Sequence, residues 1–130
     1  MHLYAKGVRF ERELLHYLNG LGYAVIRGPS SGGELTPVDV VALKAGLIIA
    51  VECKNWAEKP RLAKTKIASM KAWCERAGAI GFLSWRKGGD WLFLPLTDAE
   101  AGQYADEYWL PMKNVLAALE IIQKTSHTLV

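Results

Sequence analysis

Apolar residues recur at helical spacing from residue 8 to residue 21, and Gly22 supplies a stop, which predicts an opening helix. YAVIR, residues 23 to 27, predicts a short strand, and GPSSGGELTP after it is a loop dense in Gly, Pro and Ser. Two apolar runs, 38 to 44 and 47 to 54, surround Ala45 and Gly46 and predict an antiparallel hairpin. The polar, basic stretch NWAEKPRLAKTK leads into a helix in which Ala63, Ile67, Met70, Cys74 and Ala77 share one face. AIGFLSW and WLFLPL flank RKGGD as a second hairpin, residues 98 to 108 are acidic and compatible with a helix, and NVLAALEIIQ forms an apolar C-terminal helix. The predicted order is αβββαββα, without repeats, linkers or low-complexity tracts.

Charges interrupt this pattern where the core should be. In the run from 47 to 54, alternation puts Ile48, Ala50, Glu52 and Lys54 on one face and Leu47, Ile49, Val51 and Cys53 on the other. A run apolar on both faces marks a central strand covered on both sides, so Glu52 and Lys54 are expected at the end of a buried strand. Asp39 sits among Val38, Val40 and Val41 on the partner run. In the first helix, Glu11 falls in the stripe of Val8, Leu14, Leu15 and Leu18, whereas Arg9, Arg12, Glu13 and His16 fall to the other side.

A buried carboxylate must be paired, protonated or metal-bound. One arrangement accounts for all four charges: Asp39, Glu52 and Glu11 converge on a divalent cation with Lys54 beside it. Oxygen ligands without His or Cys suit Mg²⁺, with Mn²⁺ able to substitute. Such a cation polarises a phosphoryl oxygen and activates water, and the lysine orients that water or stabilises developing charge, which is chemistry for cutting a phosphodiester. The plainer alternative is an edge ion pair between Glu52 and Lys54, with Asp39 ending a turn.

Composition narrows the setting. The chain has 130 residues, of which 51% are hydrophobic, enough for one well-packed domain over residues 1 to 130. A net charge of +3 with a pI near 8.9 permits an anionic partner without demanding one. Cys53 and Cys74 lie in apolar segments without a CxxC neighbourhood and read as small buried hydrophobes in a reducing compartment. The first residues carry no apolar stretch of signal-peptide length, and no run approaches the roughly 20 apolar residues of a membrane span. The expectation is a cytoplasmic, intracellular protein near the nucleoid, with no membrane partner.

P-V-D at 37 to 39 followed by E-C-K at 52 to 54 resembles the PD-(D/E)xK nuclease pattern. KGVRFERELLHYLNGLGYAVIRGPSSGG, residues 6 to 33, resembles the start of the archaeal-type Holliday junction resolvases (Hjc), with a KG…ERE helix, a G-[FY]-A-V-x-R strand and a serine four residues after that arginine. The likeness runs from residue 6 to about residue 96. It implies a restriction-endonuclease-like α/β core, a central mixed five-stranded sheet flanked by helices, and a metal-dependent endonuclease that nicks four-way DNA junctions in symmetric pairs. Glu11, Asp39 and Glu52 would be its metal-site acids, Lys54 the motif lysine, and Ser31 the serine near the scissile phosphate, with Ser30 an open alternative. Arg12 and Arg27 match basic residues implicated in DNA binding or catalysis. The loop between Ser31 and Asp39 is longer than in some relatives and carries Glu34.

Lys6, Arg9 and Arg12 form one basic group, and Lys59, Arg61, Lys64 and Lys66 another just after the motif strand; both could track phosphates without reading bases. A junction needs two symmetric cuts and the chain encodes one candidate site, so a two-fold homodimer is expected. Trp91, Leu92, Phe93, Trp109, Leu110 and Met112 are candidates for its interface, or for the core. Whether a sliding clamp or another protein recruits the enzyme is left open by the residues. Other readings of the same residues are a related nuclease of linear or damaged duplex, and a non-catalytic DNA-binding domain. An RNA-binding module is disfavoured, since neither an aromatic RNP-like strand nor a GXXG loop is present.

Overall fold

The computed structural model describes residues 2 to 29, 35 to 54 and 58 to 129, with side chains from residue 9 to residue 125. Ser30, Ser31 and Glu34 lie outside the described residues, as does the side chain of Lys6. The elements are α1 (His2–Gly20), β1 (Ala24–Arg27), β2 (Val40–Lys44), β3 (Leu47–Lys54), α2 (Lys64–Ala77), β4 (Ile80–Lys87), β5 (Asp90–Pro95), α3 (Leu96–Glu100), a 3-10 turn (Asp106–Tyr108), β6 (Leu110–Pro111) and α4 (Met112–Leu129). The expected elements occur in the expected order, with α3, a 3-10 turn and β6 inserted before the C-terminal helix; the mixed sheet gains a sixth strand because two residues of β6 pair with β5, too short a segment for any periodicity to reveal.

The strands lie in chain order, β1 to β6, antiparallel throughout except for β3 and β4, which run parallel because α2 crosses over between them. On one face, Leu14 and Leu18 of α1 and Met112 and Leu116 of α4 pack against Val40, Ile49, Val51, Phe82 and Phe93. On the other, Ile67, Met70 and Cys74 of α2 join Leu96 and Ala99 of α3 over Ala50, Leu83, Trp85 and Leu94. Strand β3 is therefore covered on both sides, as its doubly apolar pattern predicts.

Turn chemistry fixes the registers. Gly88 and Gly89, with φ of 57° and 90°, close the β4–β5 hairpin, and Ala45 and Gly46, at 48° and 91°, close β2–β3. Gly78, at 69°, ends α2 by donating its backbone N–H to the carbonyl of Cys74.

Phe93, Trp109 and Met112 are core residues, with Trp85 and Trp109 in edge contact at 5.3 Å between ring centroids. Of the six aromatic and apolar residues considered for a dimer surface, only Leu110 is exposed, at 41%, and the core alternative accounts for these three. Both cysteines are free. Among the described residues, no helix is long and apolar enough to cross a membrane.

Candidate active site

The site is built where β2 begins and β3 ends. Asp39 immediately precedes β2; its N–H donates to the Val51 carbonyl at 3.0 Å, and its Oδ2 accepts the Cys53 N–H at 2.8 Å. These two bonds lock the carboxylate across the end of the motif strand. Gly28 completes the lock: its N–H donates to the Asp39 carbonyl at 2.7 Å, and a Cβ there would lie 2.2 Å from the Val38 carbonyl oxygen. Only glycine permits that approach.

Glu52 is buried at 5% exposure and faces α2, where Lys66 Nζ lies 3.5 Å from its Oε1 and Lys54 Nζ 3.7 Å from its Oε2. Burial first, then the charge of Asp39, push the Glu52 carboxyl from the ordinary 4.5 to about 8; Lys66, and less strongly Lys54, pull it back. Asp39 and Glu52 also share a side-chain hydrogen bond that raises Glu52 further. Glu52 Oε1 is nevertheless buried without a hydrogen-bond partner. Glu11 approaches from α1, held by Arg27, whose Nε donates to Oε1 at 3.3 Å. Its carboxyl is raised by desolvation and by Asp39, against the opposing pull of Arg27. Burial first, then the charge of Asp39, push the nearby Cys53 thiol up, with lesser contributions from Glu11 and Glu52.

Among the described residues, no three His, Cys, Asp or Glu side chains are gathered into a ready metal cage. Asp39 and Glu52 are the pair in contact, while Glu11 acts through its charge and its arginine. That arrangement fits Mg²⁺ or Mn²⁺, which bind through one or two carboxylates and take their other ligands from water and substrate phosphates. The orphaned Glu52 Oε1, and the charge of Asp39 that raises the Glu52 carboxyl, are the features that fit such an ion.

The basic residues divide into two groups. Arg9 and Arg12 are exposed on α1, and Lys64 is exposed at the start of α2. Arg27 is committed to Glu11, Lys59 is paired with Asp106, Arg61 stacks 4.6 Å over the Tyr104 ring, and Lys66 points at Glu52. Lys66 therefore sits beside Glu52, with its side chain still partly exposed. Lys66, Met70 and Cys74 recur every four residues along α2, and the latter two are buried in the structure. Gly28 carried no signal in the sequence, since the Val38 carbonyl it accommodates becomes its neighbour only on folding.

A mixed sheet whose motif strand ends in an acid and a lysine, with a second acid at the adjoining strand and a third from the first helix, defines a nuclease of the PD-(D/E)xK class. The chain belongs to the Hjc family: the model described as archaeal Holliday junction resolvase (hjc) matches residues 2–123. It is 35% identical over 106 residues to the crossover junction endodeoxyribonuclease Hjc of Sulfolobus acidocaldarius, covering 76% of this chain and 74% of that protein. The Methanocaldococcus jannaschii protein of the same name is 35% identical over 94 residues, 72% of this chain and 68% of that one. The 1.6 Å structure of Hjc from Archaeoglobus fulgidus, a Holliday junction resolvase, superposes with a TM-score of 0.71 at 25% identity, covering 84% of this chain and 98% of that chain.

Proposed function

We propose that this protein is an intracellular endonuclease that resolves four-way DNA junctions, acting as a homodimer with Mg²⁺ or Mn²⁺ held by Asp39 and Glu52 and supported by Glu11. Membership of the Hjc family carries the activity, and the buried Glu52 carboxyl beside half-buried Asp39 supports the metal. Bound there, the cation would polarise the scissile phosphoryl oxygen and lower the pKa of a water.

The chain's own residues do the rest. Lys54 supplies a cation at the mouth of the site, where it can orient the attacking water or stabilise charge on the phosphate. Lys66 favours the ionised form of Glu52, the form able to ligate. Arg27 holds Glu11 in position, and Ser31 is proposed near the scissile phosphate. A pair of two-fold related sites would make two symmetric nicks.

The test incubates the protein with a labelled four-way junction and a linear duplex of the same sequence, with and without Mg²⁺, and maps the cuts. Paired symmetric nicks near the crossover, dependent on Mg²⁺ and absent from the duplex, are the expected outcome. Equal cutting of both substrates would make it a general nuclease, and junction binding without cutting under Mg²⁺ or Mn²⁺ would make it a binding domain.

A further inference from the structure

A cleft of about 470 Å³ lies between α1 and the β4–β5 hairpin, lined by Arg9, Arg12, His16, Tyr17, Arg86 and Trp91, with Glu13 its acidic member. It adjoins a second cleft of about 530 Å³, with which it shares Tyr17, Arg86 and Trp91 and which extends to Lys113. Three arginines and one carboxylate thus line the first cleft of this open trough, and Asp90 adds a second carboxylate in the adjoining one. Arg86 is the centre of the trough: the guanidinium stacks 4.7 Å over the Trp91 ring, and Trp91 is wedged against Phe10 and Tyr17. Stacking fixes the plane of a group with five donors, a geometry that matches phosphate oxygens. One of its nitrogens is engaged by Glu13 of α1.

The trough opens at the same end of the sheet as the acids. Lys54 pairs with Trp85 of the neighbouring parallel strand, and Arg86 is the next residue. With strands about 4.8 Å apart, Arg86 stands beside the site and on the α1 side of the sheet. The Arg86–Glu13 pair is solvent-accessible, with side-chain exposures of 34% and 46%, and exposed ion pairs of this kind contribute little stability and exchange partners readily.

We propose that this trough is a second phosphodiester-binding site, in which Arg86, preoriented on Trp91 and neutralised by Glu13 in the free protein, exchanges Glu13 for a backbone phosphate of the DNA held at the cleavage site. The inference rests on the junction-resolvase reading and adds to it a contact outside the acids. Glu13 then acts as an internal competitor with DNA, so removing its charge strengthens binding and removing Arg86 weakens it.

The experiment measures anisotropy of a fluorescent four-way junction without divalent metal, across a salt series, for wild type, Arg86→Ala and Glu13→Gln. Arg86→Ala is expected to weaken binding about fivefold and to make the salt dependence shallower by about one released counterion. Glu13→Gln is expected to tighten binding about threefold, a gain that misfolding cannot mimic. Wild-type binding with both variants within a factor of two of it overturns the trough alone. Absence of wild-type junction binding overturns the trough and the resolvase reading together.

Discussion

Burial and the adjacent Asp39 hold the Glu52 carboxyl near 8 when its ordinary value is 4.5, so the folded protein takes up a proton that the unfolded chain has released between those two pH values. Stability of the metal-free protein should therefore fall as pH rises through that window, because the native state binds more protons than the unfolded one. Glu52→Gln removes the buried charge and keeps the shape. At pH 8 it should raise the unfolding free energy of the metal-free protein by about 1–3 kcal/mol while abolishing cleavage. Denaturant melts at pH 5 and pH 8, with a nuclease assay alongside, check this; a variant less stable than wild type at pH 8 would remove the electrostatic argument for a cation at Asp39 and Glu52. The arginines show how residue type alone misleads. Arg27 and Arg86 are both basic residues at strand ends, but one is bound to Glu11 inside the site and the other to Glu13 beside the trough.

At the scale of elements, the two hairpins were legible from short turns between apolar runs, and their glycines bear this out with positive φ. Ala45 is the exception: it holds a φ of 48°, a left-handed conformation in which Cβ crowds the backbone. Ala45→Asn should relieve that cost and raise stability by about 0.5–1 kcal/mol, measured by urea unfolding, with the β2–β3 register unchanged. A loss of stability would mean that the Ala45 carbonyl, which accepts from Gln123 Nε2 at 3.4 Å, is the more sensitive feature. The segment from 98 to 108 was less legible. Its acidic composition is compatible with a helix, and the chain instead forms the short α3 and a 3-10 turn, because Tyr104 and Trp109 turn inward to join the core over β4.

Across the whole molecule, contacts distant in sequence close the fold over the sheet. Tyr23 donates its hydroxyl to Glu120 Oε2 at 2.8 Å, and Lys44 donates to Glu120 Oε1 at 3.0 Å, tying α4 to the start of β1 and the end of β2. The Tyr23 hydrogen bond, then the Lys44 hydrogen bond, hold the Glu120 carboxyl below its ordinary value. A depressed acid contributes stability that is present above its unfolded pKa and lost as pH falls through the folded one. Glu120→Gln should therefore cost about 1 kcal/mol at pH 7 and progressively less as the pH drops through the carboxylate range, read from thermal melts at pH 7 and pH 3. An equal deficit at both values would assign the loss to packing. Facing the other way from this tie, the three acids, Lys66 and the arginine trough gather at one end of the sheet.

The sequence by itself determined the three long helices and the first five strands, the central position of β3, and the acids and lysine of the motif, since periodicity and misplaced charge are properties of order along the chain. It also determined the family, because the KG…ERE helix and the P-V-D and E-C-K segments are local strings. Only the tertiary structure decided that Lys66 faces Glu52, that Gly28 must admit the Val38 carbonyl, that Phe93, Trp109 and Met112 belong to the core, and that Arg86 meets Glu13 across the fold. Each of these depends on which surfaces meet when helices dock on a sheet. Spacing along a strand or helix says which residues share a face, and packing alone says what that face touches.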